Sequence, residues 1–263
     1  TVDNDGGGMI LDDSNPTLTD VTFSNNAADH DGGGMAIISS NPIIIDCIIN
    51  NNGASNQGGG IYSLNSSLYL SGVSLLSNEA NSSSGGGIQI IDGSATISNS
   101  VISDNISYES DGGGIAFNPD SNVDIANTII SNNSANTGGG ILSDGYAFLQ
   151  NVDVISNSAN NGSGIRVGSR IFTMNGGSIS GNISSGTGQE SGALMIEGAE
   201  YAYLDGVVFE NNQYDISSGV GSAIGIRQTN TDITNCIIRN NSSGRGAIYI
   251  HNSDVNISST LIT

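Results

Sequence analysis

Residues 31 to 52 decide the fold: Asp31-Gly32-Gly33-Gly34-Met35-Ala36-Ile37-Ile38-Ser39-Ser40-Asn41-Pro42-Ile43-Ile44-Ile45-Asp46-Cys47-Ile48-Ile49-Asn50-Asn51-Asn52. A Gly triplet opens an apolar segment, a second apolar segment ends in a small acid, and a third ends in an Asn run. The triplet returns at Gly6, Gly58, Gly85, Gly112 and Gly138, then loosens into Gly162-Ser163-Gly164-Ile165, Gly192-Ala193-Leu194, Ser222-Ala223-Ile224 and Gly246-Ala247-Ile248. The apolar residues that close these motifs are spaced by 26, 26, 27, 27, 26, 24, 29, 30 and 24. Such self-similarity marks a solenoid. Ten units, the last truncated, fill residues 1–263 with no break that would mark a second domain.

Within a unit the apolar residues alternate, as in Met9 and Leu11, Ile88 and Ile90, or Ile224 and Ile226. Period two with Gly triplets, Ser and Asn is a strand pattern and a poor helical one. A β-sandwich would not repeat one template ten times. An all-β parallel β-helix of about ten coils of 24–30 residues satisfies both facts. Equivalent positions then stack ~4.8 Å apart, so each column explains its residue type. Gly permits corners with positive φ, Asn shares amide hydrogen bonds up the column, and Ile, Val and Leu fill a narrow core. Asp20, Asp46, Gly72, Asn99, Asn127, Asn151, Gly176, Gly206 and Asn235 form one expected corner column. Residues such as Ile10, Ala36, Tyr62, Gln89, Arg166 and Gly225 are expected to point outward from the strand after the glycines.

The repeats are specific enough to suggest a family. Gly-Gly-Ala/Gly-Ile combined with Phe/Ile-x-x-Asn, seen at Phe23 to Asn26, Ile49 to Asn52, Ile102 to Asn105, Ile130 to Asn133, Ile179 to Asn182, Phe209 to Asn212 and Ile238 to Asn241, resembles the chlamydial type of polymorphic outer-membrane protein repeat. Similar repeats occur in large bacterial surface adhesins of the pectin-lyase-like superfamily. The chain departs from that pattern in preferring Gly-Gly-Gly, in Glu79 and Ser158 replacing the motif Asn, and in lacking a C-terminal membrane barrel. The resemblance implies a right-handed helix and a passenger-like or stalk-like segment of a longer chain, or a filament subunit, secreted or at the cell surface.

Composition narrows function. The chain has 38 Gly, 41 Ser, 34 Asn and no Lys, and its 25 acids against 5 Arg give a net charge of −20. Such a surface repels nucleic acid and anionic lipid, and no apolar run is long enough to span a membrane. Cys47 and Cys236 share one offset seven units apart, roughly 34 Å, too far for a disulfide, so both are expected as free thiols. The expected function is therefore a non-enzymatic structural or adhesive solenoid. Its partners would be further coils end to end, of itself or the same chain, or a host or cell-surface protein or glycan. The alternative is a polysaccharide lyase or glycoside hydrolase of the pectin-lyase-like fold. That chemistry needs paired carboxylates, or a carboxylate beside a basic residue. Asp20 and Asp46 lie one unit apart, but every Arg is at or beyond Arg166.

Four local expectations follow. Asp3 and Asp5 stack beneath Asp29 and Asp31 before a Gly triplet, an oxygen cluster that suits calcium or else forms a solvated acidic edge. Glu197 and Arg227 share an outward offset and should pair across one rung. Tyr69, Phe148 and Tyr203 share one outward column, and Tyr62 and Tyr249 another. The longest units bulge at Ser184 to Glu190 and Gln213 to Val220, where one lateral protrusion is expected.

Overall fold

Every strand that follows a glycine motif pairs in parallel with its equivalents one repeat away, because the side chains on its two faces match theirs in register. The computed structural model describes residues 5–108, 110–186, 192–214, 221–243 and 246–263. The first sheet stacks ten strands in chain order, from Met9–Asp12 through Met35–Ile38 and Ile61–Leu64 to Ile224–Arg227 and Ile248–His251. A second, 18-stranded sheet carries the next two segments of every coil. These are separate strands in most coils and fuse in Tyr146–Ile155 and Ile171–Ser180. Two-residue strands such as Ala27–Ala28 and Gly53–Ala54 close the coil in a third, interrupted sheet.

Corners between these segments are left-handed. All nine residues of the expected corner column have positive φ, from 49° at Asn127 to 66° at Gly72 and Gly206. Asp and Asn tolerate that region better than other side chains, which is why they alternate there with Gly. A further left-handed column runs through Asn25, Asn51, Ser77, Asp104 and Asn132, immediately before the residue that turns inward.

That inward residue forms a continuous ladder of Asn26, Asn52, Asn78, Asn105, Asn133, Asn157, Asn182, Asn212 and Asn241. Each Oδ1 from Asn52 onward accepts both the backbone N–H and the Nδ2 of the Asn one rung below, as at Asn133, where Asn105 donates at 2.9 and 3.0 Å. Each Nδ2 from Asn52 onward also donates to a core-strand carbonyl, Ile102 O in the case of Asn133 at 3.0 Å. The expected replacement of the motif Asn by Glu79 and Ser158 is corrected: Asn78 and Asn157 occupy the ladder, preceded by Leu75 and Val154 where other coils have Phe or Ile. Any apolar strand former fills that core site, so the Asn is the constant element.

The triplet has three separate reasons. Its first Gly takes positive φ, 69° at Gly32. A Cβ on the second would stand 2.4 Å from the Gly59 carbonyl oxygen at Gly33, and on the third 2.6 Å from the Gly60 oxygen at Gly34. The motif loosens at Ser163, which is buried and whose hydroxyl accepts from Ser184 at 3.0 Å.

Inside, the core columns are apolar and mostly aliphatic, with Phe117, Phe172 and Phe209 as the largest members. Cys47 and Cys236 are buried free thiols. Two hydroxyls interrupt the first sheet's inner face: Ser63 between Ile37 and Ile90, and Ser143 between Phe117 and Val167. Neither Oγ has a hydrogen-bond partner among the described residues. Replacing Ser63 by Ala should therefore raise stability by about 1 kcal/mol, because it removes an unsatisfied buried group. A lower denaturation midpoint for Ser63→Ala would refute that assignment.

The column expected to point outward from the first sheet is largely buried. Ala36, Tyr62, Gln89, Ala116 and Met195 are all at most 6% exposed. The glycine turn folds back over it: a Cβ on Gly112 would meet Ala116 Cβ at 2.5 Å, and one on Gly58 would meet Tyr62 Cα at 2.8 Å. Burial pushes the Tyr62 hydroxyl up to about 12, reinforced by the charges of Asp31, Asp5 and Asp92. The expected protrusion falls mainly on residues 187–190 and 215–220, outside the described residues. Its roots, Ile183–Ser184 and Gln213–Tyr214, do pair on adjacent rungs.

Candidate functional site

Charged side chains show first what the rod does with its acids. Asp13, Asp20, Asp46, Asp92 and Asp104 hold left-handed corners. Glu197 takes Arg227 at 3.1 Å and Arg166 at 2.7 Å, which bears out the expected rung-to-rung pair and adds a second Arg to it. Arg170 reaches Glu200 at 3.1 Å and Asp120 at 3.6 Å, and Arg239 reaches Glu210 at 2.7 Å. Ion pairs this open to solvent add little to stability.

The acidic cluster before the second glycine motif is reorganised relative to expectation. Asp5 and Asp31 converge, with His30 as a third member; the three ligand atoms lie within 4.8 Å of one another. His30 Nδ1 stands 3.1 Å from Asp5 Oδ1 and 3.0 Å from Asp31 Oδ2. Asp29 is exposed and outside that group, and Asp3 lies outside the described residues. His30 was legible only as the residue preceding Asp31, since its ring swings back to the neighbouring rung. Asp5, His30 and Asp31 are the residues that could hold a divalent cation, and the imidazole nitrogen in that donor set favours zinc or another transition metal over calcium, which takes oxygen ligands.

Both carboxylates already have structural work. Asp5 Oδ1 accepts the Asp31 N–H at 3.0 Å, and Asp31 Oδ1 accepts Gln57 N–H at 3.1 Å and Asn56 Nδ2 at 2.9 Å. Burial raises the Asp31 carboxyl above its ordinary value, against the lowering effect of those hydrogen bonds and of His30. A raised folded-state value means the favourable contribution is present at low pH and is lost as pH rises through it. Asp31→Asn keeps the acceptor and removes the buried charge. It should raise the unfolding midpoint at neutral pH, give no gain in acid, and leave a chelator without effect. A chelator-sensitive midpoint in the parent that Asp31→Asn abolishes would instead establish a bound cation.

The second candidate is a lateral aromatic face on the second sheet. Register places Ile43, Tyr69, Thr96, Asp124, Phe148, Thr173, Tyr203 and Asp232 in one outward column, bearing out the shared offset of Tyr69, Phe148 and Tyr203. The neighbouring column brings Asn122 beside Tyr146 and Ile171 beside Tyr201. Tyr146, Phe148 and Ile171 are 40–41% exposed. Tyr201 and Tyr203 are half-buried, and the Tyr201 hydroxyl donates to Asp232, holding that carboxyl below its usual range. Arg170 lies over Tyr146, its Cζ 5.6 Å from the ring centroid. A shallow cleft of about 220 Å³ runs along Asn122, Asp124, Tyr146, Phe148, Ile171 and Thr173. Tyr146 and Tyr201 escaped the sequence reading. The signal was there, in Tyr146-Ala147-Phe148 and Tyr201-Ala202-Tyr203, because residues two apart share a sheet face.

A family model agrees with the architecture over the first part of the chain. Residues 2–102 match the family model of a right-handed β-helix region. The fold is a right-handed parallel β-helix. Among solved structures, the chain is similar to QnrB1, a plasmid-mediated fluoroquinolone resistance protein, with 13% identity over 92% of each chain and a TM-score of 0.27. No curated protein matches it.

Proposed function

We propose that this β-helix is a non-enzymatic, secreted or surface-displayed solenoid that serves as an adhesive or structural rod, of the kind its Gly-Gly-x-Ile and Phe/Ile-x-x-Asn repeats resemble. The observation that carries this reading is the use of its acids. Asp20 and Asp46, the pair a hydrolase or lyase could have used, hold left-handed corners, Asp5 and Asp31 cap backbone N–H groups, and Glu197, Glu200 and Glu210 neutralise Arg on a neighbouring rung. A rigid rod with an accessible side face is what remains for partners to meet.

End-to-end pairing belongs to the same proposal. Each coil of a solenoid is stabilised mainly by the coils stacked on it, as Ile257 stacks on the fully buried Ile233, so its proposed end-to-end partners are further coils, from the same chain or another copy. Light scattering and electron microscopy of the 263-residue protein test this. Elongated oligomers that Ile257→Asp dissolves are the expected result, and a soluble monomer at every concentration would overturn it.

A further inference from the structure

We propose that the face formed by Tyr146, Phe148, Ile171, Thr173, Tyr201 and Tyr203 is a binding platform for an extended, neutral β-1,4-linked hexopyranose chain. It deepens the reading of the rod as a non-catalytic adhesive scaffold and rests on it.

The argument begins with spacing. Tyr146 and Phe148 project from one strand, and Tyr201 and Tyr203 from the strand two rungs away, with Ile171 and Thr173 between them. Two rungs are ~9.6 Å, close to the disaccharide repeat of an extended β-1,4 chain. In such a chain alternate rings turn the same face to one side, so both aromatic rows would meet equivalent sugar faces. The apolar axial hydrogens of a pyranose suit aromatic rings, and the surrounding polar groups suit its hydroxyls. Asn122 and Asp124 border the platform on one side and Asp232 on the other.

Charge selects among sugars. A chain carrying a net −20, with Asp124 and Asp232 bordering the platform and Arg170 offset by Asp120 and Glu200, repels uronic-acid and sulfated glycans. A cationic ligand is disfavoured by the like charge of the Arg170 guanidinium beside Tyr146. Size selects against a protein partner. Two residues by three rungs give a footprint on the order of 200 Å², against about 800 Å² per partner in a stable protein interface.

Titration calorimetry with cellohexaose and N-acetylchitohexaose tests this, using maltohexaose, oligogalacturonate and tetramethylammonium as comparison ligands, with the sugars checked afterwards for chain shortening. At least one β-1,4 hexamer should bind more tightly than all three comparison ligands. Phe148→Ala and Tyr203→Ala should each weaken binding by about tenfold, equivalent to one aromatic contact. Tyr69→Ala, in the same column three rungs away, should not change it. All three side chains lie on the outer face, and circular dichroism confirms folding of each variant. No binding of either hexamer, equal binding by Phe148→Ala and Tyr203→Ala, or preference for any comparison ligand would overturn the platform while leaving the scaffold reading intact. Binding accompanied by chain shortening would support the platform and overturn the non-enzymatic reading alone.

Discussion

Replacing Asn133 by Ala should destabilise the rod by roughly 3–5 kcal/mol, a large share of the 5–15 kcal/mol that holds a typical domain folded. The side chain takes part in four hydrogen bonds. It accepts from Asn105 N–H and Nδ2, and donates to Ile102 O and Asn157 Oδ1, all at 2.9–3.0 Å. Ala leaves the Asn105 N–H buried without a partner, at about 1–3 kcal/mol, and takes one bond each from Asn105 Nδ2, Asn157 Oδ1 and the Ile102 carbonyl, at about 0.5–1.5 kcal/mol apiece. Asp in the same place would accept but not donate, and would bury a charge. Because each coil is stabilised mainly by its neighbours, the break should also divide the cooperative unit and yield two unfolding transitions. Asn132, the exposed residue beside it, has φ 55°, so Asn132→Gly should be nearly neutral. Urea unfolding followed by circular dichroism compares the two variants. If Asn133→Ala unfolds no earlier than Asn132→Gly, the ladder is a passenger of the fold and not one of its supports.

Two glycines should respond in opposite directions to the same methyl group. A Cβ on Gly113 would lie 2.5 Å from Gly139 O, 2.6 Å from Ser134 O and 2.7 Å from Ser134 N, all backbone atoms of the next coil. These atoms cannot yield without parting two rungs, so Gly113→Ala should cost on the order of 3 kcal/mol or more. Gly53 sits in the short strand Gly53–Ala54, with nothing within 4 Å of its Cβ position and no positive φ. There Ala reduces the freedom of the unfolded chain, and Gly53→Ala should stabilise by about 0.4–1 kcal/mol. Thermal midpoints of the pair decide the matter. Similar losses in both would mean that glycine is selected by backbone entropy and not by the closeness of the coils.

Much of this architecture is legible in the sequence because a solenoid makes each residue's neighbour its own equivalent one repeat away. Period-two apolar residues, a recurrence of 24–30 residues and corner positions held by Asp, Asn, Ser and Gly, with Gln228 the exception, are therefore statements about contacts as well as about local conformation. The Glu197–Arg227 pair and the shared column of Tyr69, Phe148 and Tyr203 followed from that rule. Tertiary structure alone decided what depends on the path between strands. Asn78 and Asn157 belong to the ladder because the inward turn is set by the left-handed residue before each of them, Ser77 and Ser156, whatever apolar residue precedes it. Tyr62 is buried because the glycine turn folds back across the sheet, and alternation cannot say which face a turn will cover. His30 joins Asp5 and Asp31, and Tyr146 and Tyr201 extend the column of Phe148 and Tyr203 into a platform, because sites on a rod form across rungs and across columns together. Periodicity encodes the first of these directions; the curvature of the coil sets the second.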